Sequence, residues 1–425
     1  MSSISRALSV PKYVYLHYPF CKRKCYYCDF AVHAVGKSED NLDLLNDYSE
    51  RYVSNLLKEI DLTMSQISPD KQTNHDMKTL YIGGGTPSLI PIKHLERILN
   101  KLREYYTFSP VEYTMECDPG TFDLEKINIF SDLGVNRLSL GIQSIHDKTL
   151  TAIGRSHNAD DVWKSIDIIS KSKKFSDFSN VSFDLIIGLP HEGLPEFMKS
   201  LEELVKIKPG HISIYFLTLE KNTVFTQKYH FHEGSKPLPS LDETCEIFRQ
   251  THYKLKDYGY NHYEISSYSL GDKTRGIHNS NYWEGDSPFF GFGMGAASFF
   301  NEVRFTRPRT LTQYYKWVGA LEEQGIEKAI YSQGEKEPIG SLEWIKSVLM
   351  GKTRTSDGFD LKLIQDQRLV DKMKEFCQPY IFSELIDSAS LERNILKYTR
   401  PSGFLYSDEI TSRLFLHLEE ESKSF

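Results

Sequence analysis

The chain has 425 residues, of which 40% are hydrophobic and 26% are charged, and its formal net charge is −7 at pH 7. This is the composition of a globular protein long enough for two or three domains, and it shows no basic bias that would indicate a nucleic-acid partner. Six cysteines are too few for a disulfide framework, and no apolar run is long enough to predict a transmembrane segment.

The N-terminal segment, Met1 to Pro11, contains one arginine, several serines and no acidic residue. This composition is typical of the end of an organellar transit peptide, but the segment is short for one. We therefore predict a cytoplasmic location, with a mitochondrial or plastid matrix as the alternative.

Residues 12–17 form a β-branched and aromatic run that predicts a first strand leading into three closely spaced cysteines. Cys21, Cys25 and Cys28 have the spacing C-x3-C-x2-C. Thiolates are the usual ligands of iron–sulfur clusters, and a four-iron cluster normally takes four, so three would leave one iron open. A zinc site with a remote fourth ligand, or a disulfide with a spare thiol, is the alternative.

Strand-like and helix-like segments then alternate along the chain. Five further strands are predicted from their β-branched and apolar content, over residues 78–82, 113–117, 137–143, 181–187 and 211–217. Helical periodicity is found between them, over residues 92–106, 124–133, 160–170 and 196–205. This alternation predicts a parallel α/β barrel of six units, open on one side, within residues 12–218.

The motifs along this barrel occur in an order that is typical of one superfamily. The segments YVYLHYPFCKRKCYYCDF, TLYIGGGTPS, MECDPGT, NRLSLGIQS, IGRSH, DLIIGLP and YEISSY resemble those of the HemN/HemW branch of the radical S-adenosylmethionine (SAM) proteins. The resemblance extends from Tyr13 to about Phe300. It implies a [4Fe-4S] cluster on Cys21, Cys25 and Cys28, whose open iron chelates the amino and carboxylate groups of SAM.

The resemblance also implies which residues contact SAM, namely Tyr15, Tyr27, Gly84, Gly85, Thr86, Glu116, Gln143, Arg155 and Asp184. Four of these, Glu116, Gln143, Arg155 and Asp184, are expected at or just past the carboxyl end of a strand, where barrels place their active sites. Glu116 and Asp184 would accept hydrogen bonds from the ribose hydroxyls, and Arg155 would bind the carboxylate. Each of the four also has a plainer explanation as a loop polar residue or a helix cap.

Residues 219–330 are predicted to form a smaller mixed α/β region that connects the barrel to the C-terminal part. This region contains the motif HNxxYW, from His278 to Trp283, which resembles a signature of the HemW haem chaperones. His278 would ligate haem iron, and Tyr282 and Trp283 would cover a porphyrin face. The alternative is a structural histidine in a domain contact.

Residues 331–425 are predicted to form helices followed by a hairpin over Leu396 to Tyr406, with a turn at Pro-Ser-Gly. Helices followed by a wing indicate a winged-helix-like module. Because this segment lacks the basic cluster of a DNA-recognition helix, we expect it to serve as a structural lid.

Three functions are consistent with these features: a haem chaperone, an oxygen-independent coproporphyrinogen III oxidase of porphyrin biosynthesis, and a radical SAM enzyme acting on another substrate. In the oxidases a fourth cysteine stands two residues after the third, where this chain has Phe30. The oxidases also carry a long N-terminal segment, whereas here 20 residues precede Cys21. These differences and the HNxxYW motif favour the chaperone.

We therefore predict a protein that binds haem, transfers it to haem-accepting apoproteins and does not oxidise coproporphyrinogen. Its cofactors would be the [4Fe-4S] cluster, SAM and haem, and an electron donor such as a flavodoxin or ferredoxin would reduce the cluster. No residue is assigned a catalytic role. Whether SAM is cleaved, and whether the protein is a homodimer, is left open by the sequence.

Overall fold

The computed structural model describes residues 10–36, 41–68, 75–228, 230, 236–331 and 334–423, so almost all of the transit-peptide-like segment lies outside it. The described residues divide into two compact units. The first unit falls within residues 1–181, 219–230 and 288–336, and the second within residues 182–218, 231–287 and 337–425. None of the described helices is long and apolar enough to cross a membrane.

The strands are numbered in chain order. They are β1 Tyr13–Tyr18, β2 Phe20–Cys21, β3 His33–Ala34, β4 His75–Asp76, β5 Thr79–Gly84, β6 Tyr106–Thr107, β7 Glu112–Cys117, β8 Arg137–Gln143, β9 Val181–Ile187, β10 His211–Phe216, β11 Asn261–Glu264, β12 Ser267–Ser269, β13 Phe290–Phe292, β14 Ala297–Phe300, β15 Val303–Thr306, β16 Glu335–Lys336, β17 Phe359–Asp360 and β18 Ile395–Leu396.

Several helices begin at a polar residue whose side chain accepts a backbone N–H of the first turn, as Asp123, Asn158 and Ser240 do. The helices are α1 Asn41–Ile67, α2 Ile92–Arg103, α3 Leu124–Asp132, α4 Asp147–Ala152, α5 Ala159–Ser170, α6 Leu194–Val205, α7 Val224–Lys228, α8 Leu241–Asp257, α9 Ile277–Glu284, α10 Leu311–Ile326, α11 Leu342–Thr353, α12 Gln367–Phe382, α13 Ser388–Glu392, α14 Ser402–Leu405 and α15 Ser407–Lys423.

The core of the first unit is a parallel sheet with the spatial order β13-β1-β5-β7-β8. Its strands are buried along nearly their whole length, as expected for a parallel sheet with both faces covered. Because all five strands run in the same direction, their carboxyl ends meet at one edge. The loops after β1, β5, β7 and β8 are thereby brought together.

A buried ion pair joins helix α1 to the segment that follows β15. Arg307 Nε donates to Glu59 Oε1 at 2.8 Å, and neither side chain has any exposed surface. The other oxygen, Glu59 Oε2, accepts from the backbone N–H of Gly293 at 2.9 Å and from the Tyr314 hydroxyl at 2.6 Å. A buried carboxylate is tolerable when it is paired and hydrogen-bonded in this way. Glu59 therefore holds both the residue after β15 and the glycine turn after β13 against α1.

The second unit contains β9 and β10 as a parallel pair, with β12 and then β11 added in antiparallel orientation. The division between the units falls within β9, after Val181. Inside this unit two buried histidines, His252 and His262, are hydrogen-bonded through their Nδ1 atoms at 3.0 Å. Burial lowers the pKa of His252 to about 4 and that of His262 to about 3, so both rings are neutral at neutral pH.

All six strands predicted for the barrel are present, with β1, β5, β7 and β8 in the first unit and β9 and β10 in the second. The parallel strand β13 was not predicted, since three residues with a glycine at their centre, Phe-Gly-Phe, are too short to show a periodicity. The division of the chain at residues 218 and 330, and the winged-helix character of its C-terminal part, remain predictions.

The hairpin predicted over Leu396 to Tyr406 is wrong. β18 ends at Leu396 and pairs with β17, and the Pro-Ser-Gly segment forms the short helix α14. The N–H of Gly403 donates to the Thr399 hydroxyl at 3.1 Å, and the N–H of Phe404 to the Thr399 carbonyl at 3.0 Å. These bonds wind the chain into a helical turn where a hairpin would need an extended return strand.

Candidate cluster and cofactor site

The three clustered cysteines lie on a loop that begins at the end of β2. The N–H of Val35 donates to the Cys21 carbonyl at 2.9 Å, and the N–H of Cys28 donates to the Cys25 carbonyl at 3.2 Å, which closes a turn between the last two cysteines. All three are free thiols, with Cys21 buried and the other two half-buried. The disulfide alternative is therefore not realised in this loop.

His17 anchors the far side of this loop to β1. Its Nε2 lies 2.7 Å from the Ala31 carbonyl and must donate to it, so Nδ1 is left to accept from the Tyr15 hydroxyl at 3.1 Å. Burial lowers the pKa of His17 to about 4, so the ring stays neutral and keeps this tautomer at neutral pH. The position of the loop after Cys28 thus depends on a neutral histidine.

Burial favours the protonated form of two of the thiols, those of Cys21 and Cys28. It raises the pKa of Cys21 to about 12 and that of Cys28 to about 11. The Nη1 of Arg155 lies 3.5 Å from the Cys25 sulfur, where its charge would stabilise a thiolate. Since only thiolates bind metals, loading this loop with iron must release protons.

The three thiols do not converge as ligands of a single ion. Over the described part of the chain, no group of three His, Cys, Asp or Glu side chains is placed to hold one metal ion. In a four-iron cluster each thiolate binds a different iron, so its ligands need not meet at one point.

Arg155 and Asp118 form the charged centre of the site. Arg155 Nη2 donates to Asp118 Oδ1 at 2.7 Å and to the Gly141 carbonyl at 2.9 Å. Burial opposes the charge on Arg155, but the Asp118 carboxylate more than offsets it, so the pKa of Arg155 is raised well above its ordinary value. The Thr86 hydroxyl donates to Asp118 Oδ2 at 3.4 Å. These contacts link the loops after β5 and β7 to β8 and to the segment after α4. Arg155 therefore lies beyond a helix, and the expectation that it stands at or just past a strand end is wrong.

Asp118 was not among the predicted site residues, although it immediately follows β7. A carboxylate directly after a buried strand, in Cys-Asp-Pro-Gly, is a signal that could have identified it. Glu116, which lies in the same motif, was predicted to contact SAM, whereas Asp118 was not. His17 also lies within one of the motifs and was given no predicted role. Its anchoring contact is with the carbonyl of Ala31, 14 residues away in the sequence.

Glu116 is held firmly at the end of β7. One carboxylate oxygen accepts from the backbone N–H of Gly84 at 3.0 Å, and the other from the Tyr81 hydroxyl at 2.8 Å. Gly83 and Gly84 leave room for this arrangement, since a Cβ on Gly83 would lie 2.9 Å from the Glu116 carboxylate. A Cβ on Gly85 would lie 2.7 Å from the backbone of Pro19. The glycine turn therefore packs directly against the cysteine loop.

The remaining predicted residues of the first unit surround the same space. Tyr15 is stacked against Tyr81, with ring centroids 6.0 Å apart. Burial raises the pKa of Tyr27 well above its ordinary value, and Arg155 and the thiols of the loop act on it electrostatically. Gln143 ends β8 with a positive φ of 65°, a backbone conformation that is sparsely populated outside functional sites and turns.

Polar atoms of three side chains surround Gly141 and show whether this space suits a bound cofactor. A Cβ on Gly141 would meet Asp118 Oδ1 at 2.9 Å, Gln143 Nε2 at 3.1 Å and Arg155 Nη2 at 3.4 Å. The Nε of Arg155 is buried and has no hydrogen-bond partner among the described residues. A small cradle of polar groups with one unused donor is suited to a polar ligand such as SAM.

Two predicted residues, Asp184 and His278, belong to the second unit. The expectation that Asp184 lies at a strand end is wrong, because it occupies the middle of β9 and accepts from the Ser182 hydroxyl at 2.9 Å. His278 lies on α9 and is only 2% exposed. Its Nε2 is 3.0 Å from the Tyr282 hydroxyl, so the two residues of the HNxxYW motif contact each other.

Comparison with known sequences identifies relatives along nearly the whole chain. The sequence profile of the Radical SAM superfamily matches residues 15–204. The "Heme chaperone HemW" of Synechocystis sp. is 33% identical over 429 residues, covering 97% of this chain and 98% of that protein. The "Heme chaperone HemW" of Escherichia coli (strain K12) is 34% identical over 291 residues, covering 67% of this chain and 69% of that protein.

Comparison with solved structures identifies the fold. The coproporphyrinogen III oxidase HemN from Escherichia coli, described as a radical SAM enzyme, superposes with a TM-score of 0.77 at 19% identity, covering 96% of this chain and 90% of that one. The fold is therefore the α/β fold predicted from sequence, with a partial parallel barrel as its core. At this level of identity the likeness extends to the fold alone.

A steric prediction concerns the packing of Gly84 on the anchoring histidine. Gly84 has φ +116°, and an added Cβ would lie 2.6 Å from the His17 ring. Gly84→Ala should lower the free energy of unfolding by more than the roughly 1–3 kcal/mol of backbone strain, because His17 must also move. Gly271→Ala is the matched control, since Gly271 has φ +89° with nothing within 4 Å of an added Cβ. Equal losses in urea denaturation would show that the His17 contact contributes nothing.

Proposed function

Because the chain belongs to the HemW family of radical SAM proteins, we propose that it is a haem chaperone that carries a [4Fe-4S] cluster, binds haem and passes it to acceptor apoproteins. The observation that carries this proposal is the 33% identity to a protein named heme chaperone HemW over 97% of the chain. The geometry of the cysteine loop supports the cluster, and the polar cradle beside it supports SAM.

The cluster would be held by Cys21, Cys25 and Cys28. The loop is fixed at both ends, by the pairing of β2 with β3 and by the bond from His17 to Ala31, so the thiols are presented by a positioned backbone. Arg155 provides a positive charge 3.5 Å from the Cys25 sulfur, which favours the anionic state that a ligand thiolate requires. When bound, such a cluster supplies the electron that reductively cleaves SAM in radical SAM chemistry.

SAM would bind at the same edge of the sheet. The backbone of the glycine turn, Gly84 to Thr86, lies against the cysteine loop and would receive the amino group. Arg155 has a buried Nε without a hydrogen-bond partner among the described residues, and this donor would take the carboxylate. Tyr15, Tyr27, Glu116 and Gln143 would line the remaining space, and the resemblance also assigns a ribose contact to Asp184.

Haem binding is proposed for this chain on the strength of its relatives. The sequence motif assigns the iron to His278, whose ring is hydrogen-bonded to Tyr282 in this structure. Iron ligation through the Nε2 atom of His278 would therefore require the Tyr282 hydroxyl to turn away. The position that holds a fourth cysteine in the oxidases is Phe30, which is 67% exposed. Coproporphyrinogen oxidation is accordingly not part of the proposal.

The remaining partners follow from this chemistry. A flavodoxin or ferredoxin would reduce the cluster, and haem-accepting apoproteins would receive the cargo. The proposed location is the cytoplasm, with an organellar matrix as the alternative, and a homodimer is the oligomeric state to be examined.

The cluster assignment is tested by cysteine replacement after anaerobic reconstitution with iron and sulfide. Replacing Cys21, Cys25 or Cys28 with serine should abolish the cluster's visible absorption and its EPR signal, since three ligands are the minimum that holds it. Cys245→Ser and Cys377→Ser are the controls and should retain the full iron content. A triple variant of the loop cysteines that still binds the full amount of iron would contradict the assignment.

The same samples test the SAM pocket. Adding SAM should change the EPR spectrum of the reduced cluster, and Arg155→Ala or Asp184→Ala should weaken SAM binding by about 1.5–3 kcal/mol through loss of a charged hydrogen bond. Arg103→Ala, on α2, serves as the control for loss of an arginine elsewhere. Unchanged SAM affinity in both site variants would show that the pocket is assigned to the wrong residues.

The choice between chaperone and oxidase is tested with one preparation of reconstituted protein. It should bind haem in a spectroscopic titration, and it should form no protoporphyrinogen when given SAM, a reductant and coproporphyrinogen III. Escherichia coli HemN is the positive control for turnover. Sustained conversion of coproporphyrinogen III would overturn the proposal, whatever the haem titration showed.

A further inference from the structure

A pocket of about 590 Å³ lies in the first unit, between α1, β3 and the start of α10. Its volume is within the range of small-molecule binding sites. The residues that line it include His33, Tyr48, Arg51, Tyr315 and Lys316. We call this the β3 pocket, because His33 is the first residue of that strand.

The His33 side chain has no hydrogen bond to any of the described residues. It is half-buried, and its ring contacts two aromatic rings, with centroids 4.9 Å from Tyr48 and 6.0 Å from Phe20. Its backbone is fixed, since the N–H of His33 donates to the Pro19 carbonyl at 2.8 Å. An imidazole held in place by ring contacts and without a hydrogen-bond partner is suited to ligate a metal through nitrogen.

The walls of the β3 pocket combine aromatic surface with positive charge. Tyr48 and Tyr315 supply two rings, and the Arg51 guanidinium lies 4.7 Å from the centroid of the Tyr315 ring. The Tyr315 hydroxyl is buried and has no hydrogen-bond partner among the described residues. Arg51 and Lys316 are exposed at the edge of the pocket. A flat aromatic ligand carrying carboxylates would satisfy all of these groups at once.

From these features we infer that the β3 pocket is the haem site, with His33 as the iron ligand and Arg51 and Lys316 as the partners of the propionates. The inference rests on the proposed haem-binding function and assigns it to a place in the fold. The tyrosine rings would contact the porphyrin face, and the unused Tyr315 hydroxyl would donate to a propionate oxygen.

In this placement the haem site and the cysteine loop are adjacent in the sequence and are joined by the pairing of β2 with β3. His33 stands five residues after Cys28, and β3 pairs with β2, with Phe20 opposite His33 and Cys21 opposite Ala34. A change in the loop when the cluster is loaded would therefore reach the haem ligand through two hydrogen-bonded strands. His278, in contrast, already has its Nε2 hydrogen-bonded to Tyr282.

The test uses the full chain with its cluster reconstituted, and ferric haem as the probe. His33→Phe keeps a ring for the contacts with Phe20 and Tyr48 but removes the nitrogen ligand. It should change the Soret spectrum and weaken ferric haem binding by roughly tenfold or more. Binding of iron-free protoporphyrin IX should be unaffected, because no iron ligand is involved. Unchanged iron content in the cluster would show that the loop is intact.

A second variant tests the propionate contacts independently of the ligand. Reversing both charges, Arg51→Glu with Lys316→Glu, should weaken haem and iron-free protoporphyrin IX alike. The matched control is Lys148→Glu with Lys164→Glu, two exposed lysines of the same unit outside the pocket, which should bind both porphyrins as the wild type does.

The outcomes separate the inference from the function on which it rests. If the wild type does not bind haem, the proposed function fails, and the inference fails with it. If the wild type binds haem and His33→Phe leaves both spectrum and affinity unchanged, the β3 pocket is excluded while the function stands. Loss of binding in His278→Ala with none in His33→Phe would place the iron on α9 and overturn the inference.

Discussion

The parallel pairing of β1, β5, β7 and β8 is the constraint on which the site depends. Residues far apart in the sequence, Cys25, Thr86, Asp118 and Arg155, are neighbours because the four strands end at the same edge. The cysteine loop has charged residues of its own, but the glycine turn and the buried pair of Arg155 and Asp118 come from other parts of the chain. The parallel register of the sheet brings these groups to one edge, and the loops at that edge carry the side chains of the site.

Burial controls both the anchoring and the charge of this edge. His17 is kept neutral by its surroundings and so can donate to the Ala31 carbonyl and accept from Tyr15 at the same time. Arg155 is buried as well, but it remains charged because Asp118 lies 2.7 Å away. A neutral histidine thus holds the backbone, and a paired arginine provides the positive charge next to a sulfur. A charged His17 could no longer accept the hydrogen bond from Tyr15, and Arg155 without Asp118 would lose the carboxylate that keeps it charged.

The sequence was sufficient to predict the six barrel strands, the cysteine loop and the glycine turn, because each is encoded by a local pattern of apolar residues or by short spacings. It was not sufficient for contacts that depend on tertiary structure. Asp118 became visible as a site residue only through its pairing with Arg155, and His33 only through the pocket that α10 completes. The bounds of β9, residues 181–187, were predicted correctly and already put Asp184 in the middle of the strand, so its expected position at a strand end did not follow from the apolar pattern. The helical turn at Gly403 was missed because Thr399 supplies two acceptors that turn propensities ignore.

The central claim is that this protein transfers haem directly to acceptor proteins. The most direct measurement is the rate at which the haem-loaded protein loses haem to increasing concentrations of a haem-depleted protein extract from its own cells, followed by the Soret band. Haem-free globin, which only captures released haem, provides the reference. The account predicts a rate that rises with the concentration of the extract and exceeds the constant rate seen with globin. The same constant rate with both acceptors would mean that haem simply dissociates, and would contradict the claim.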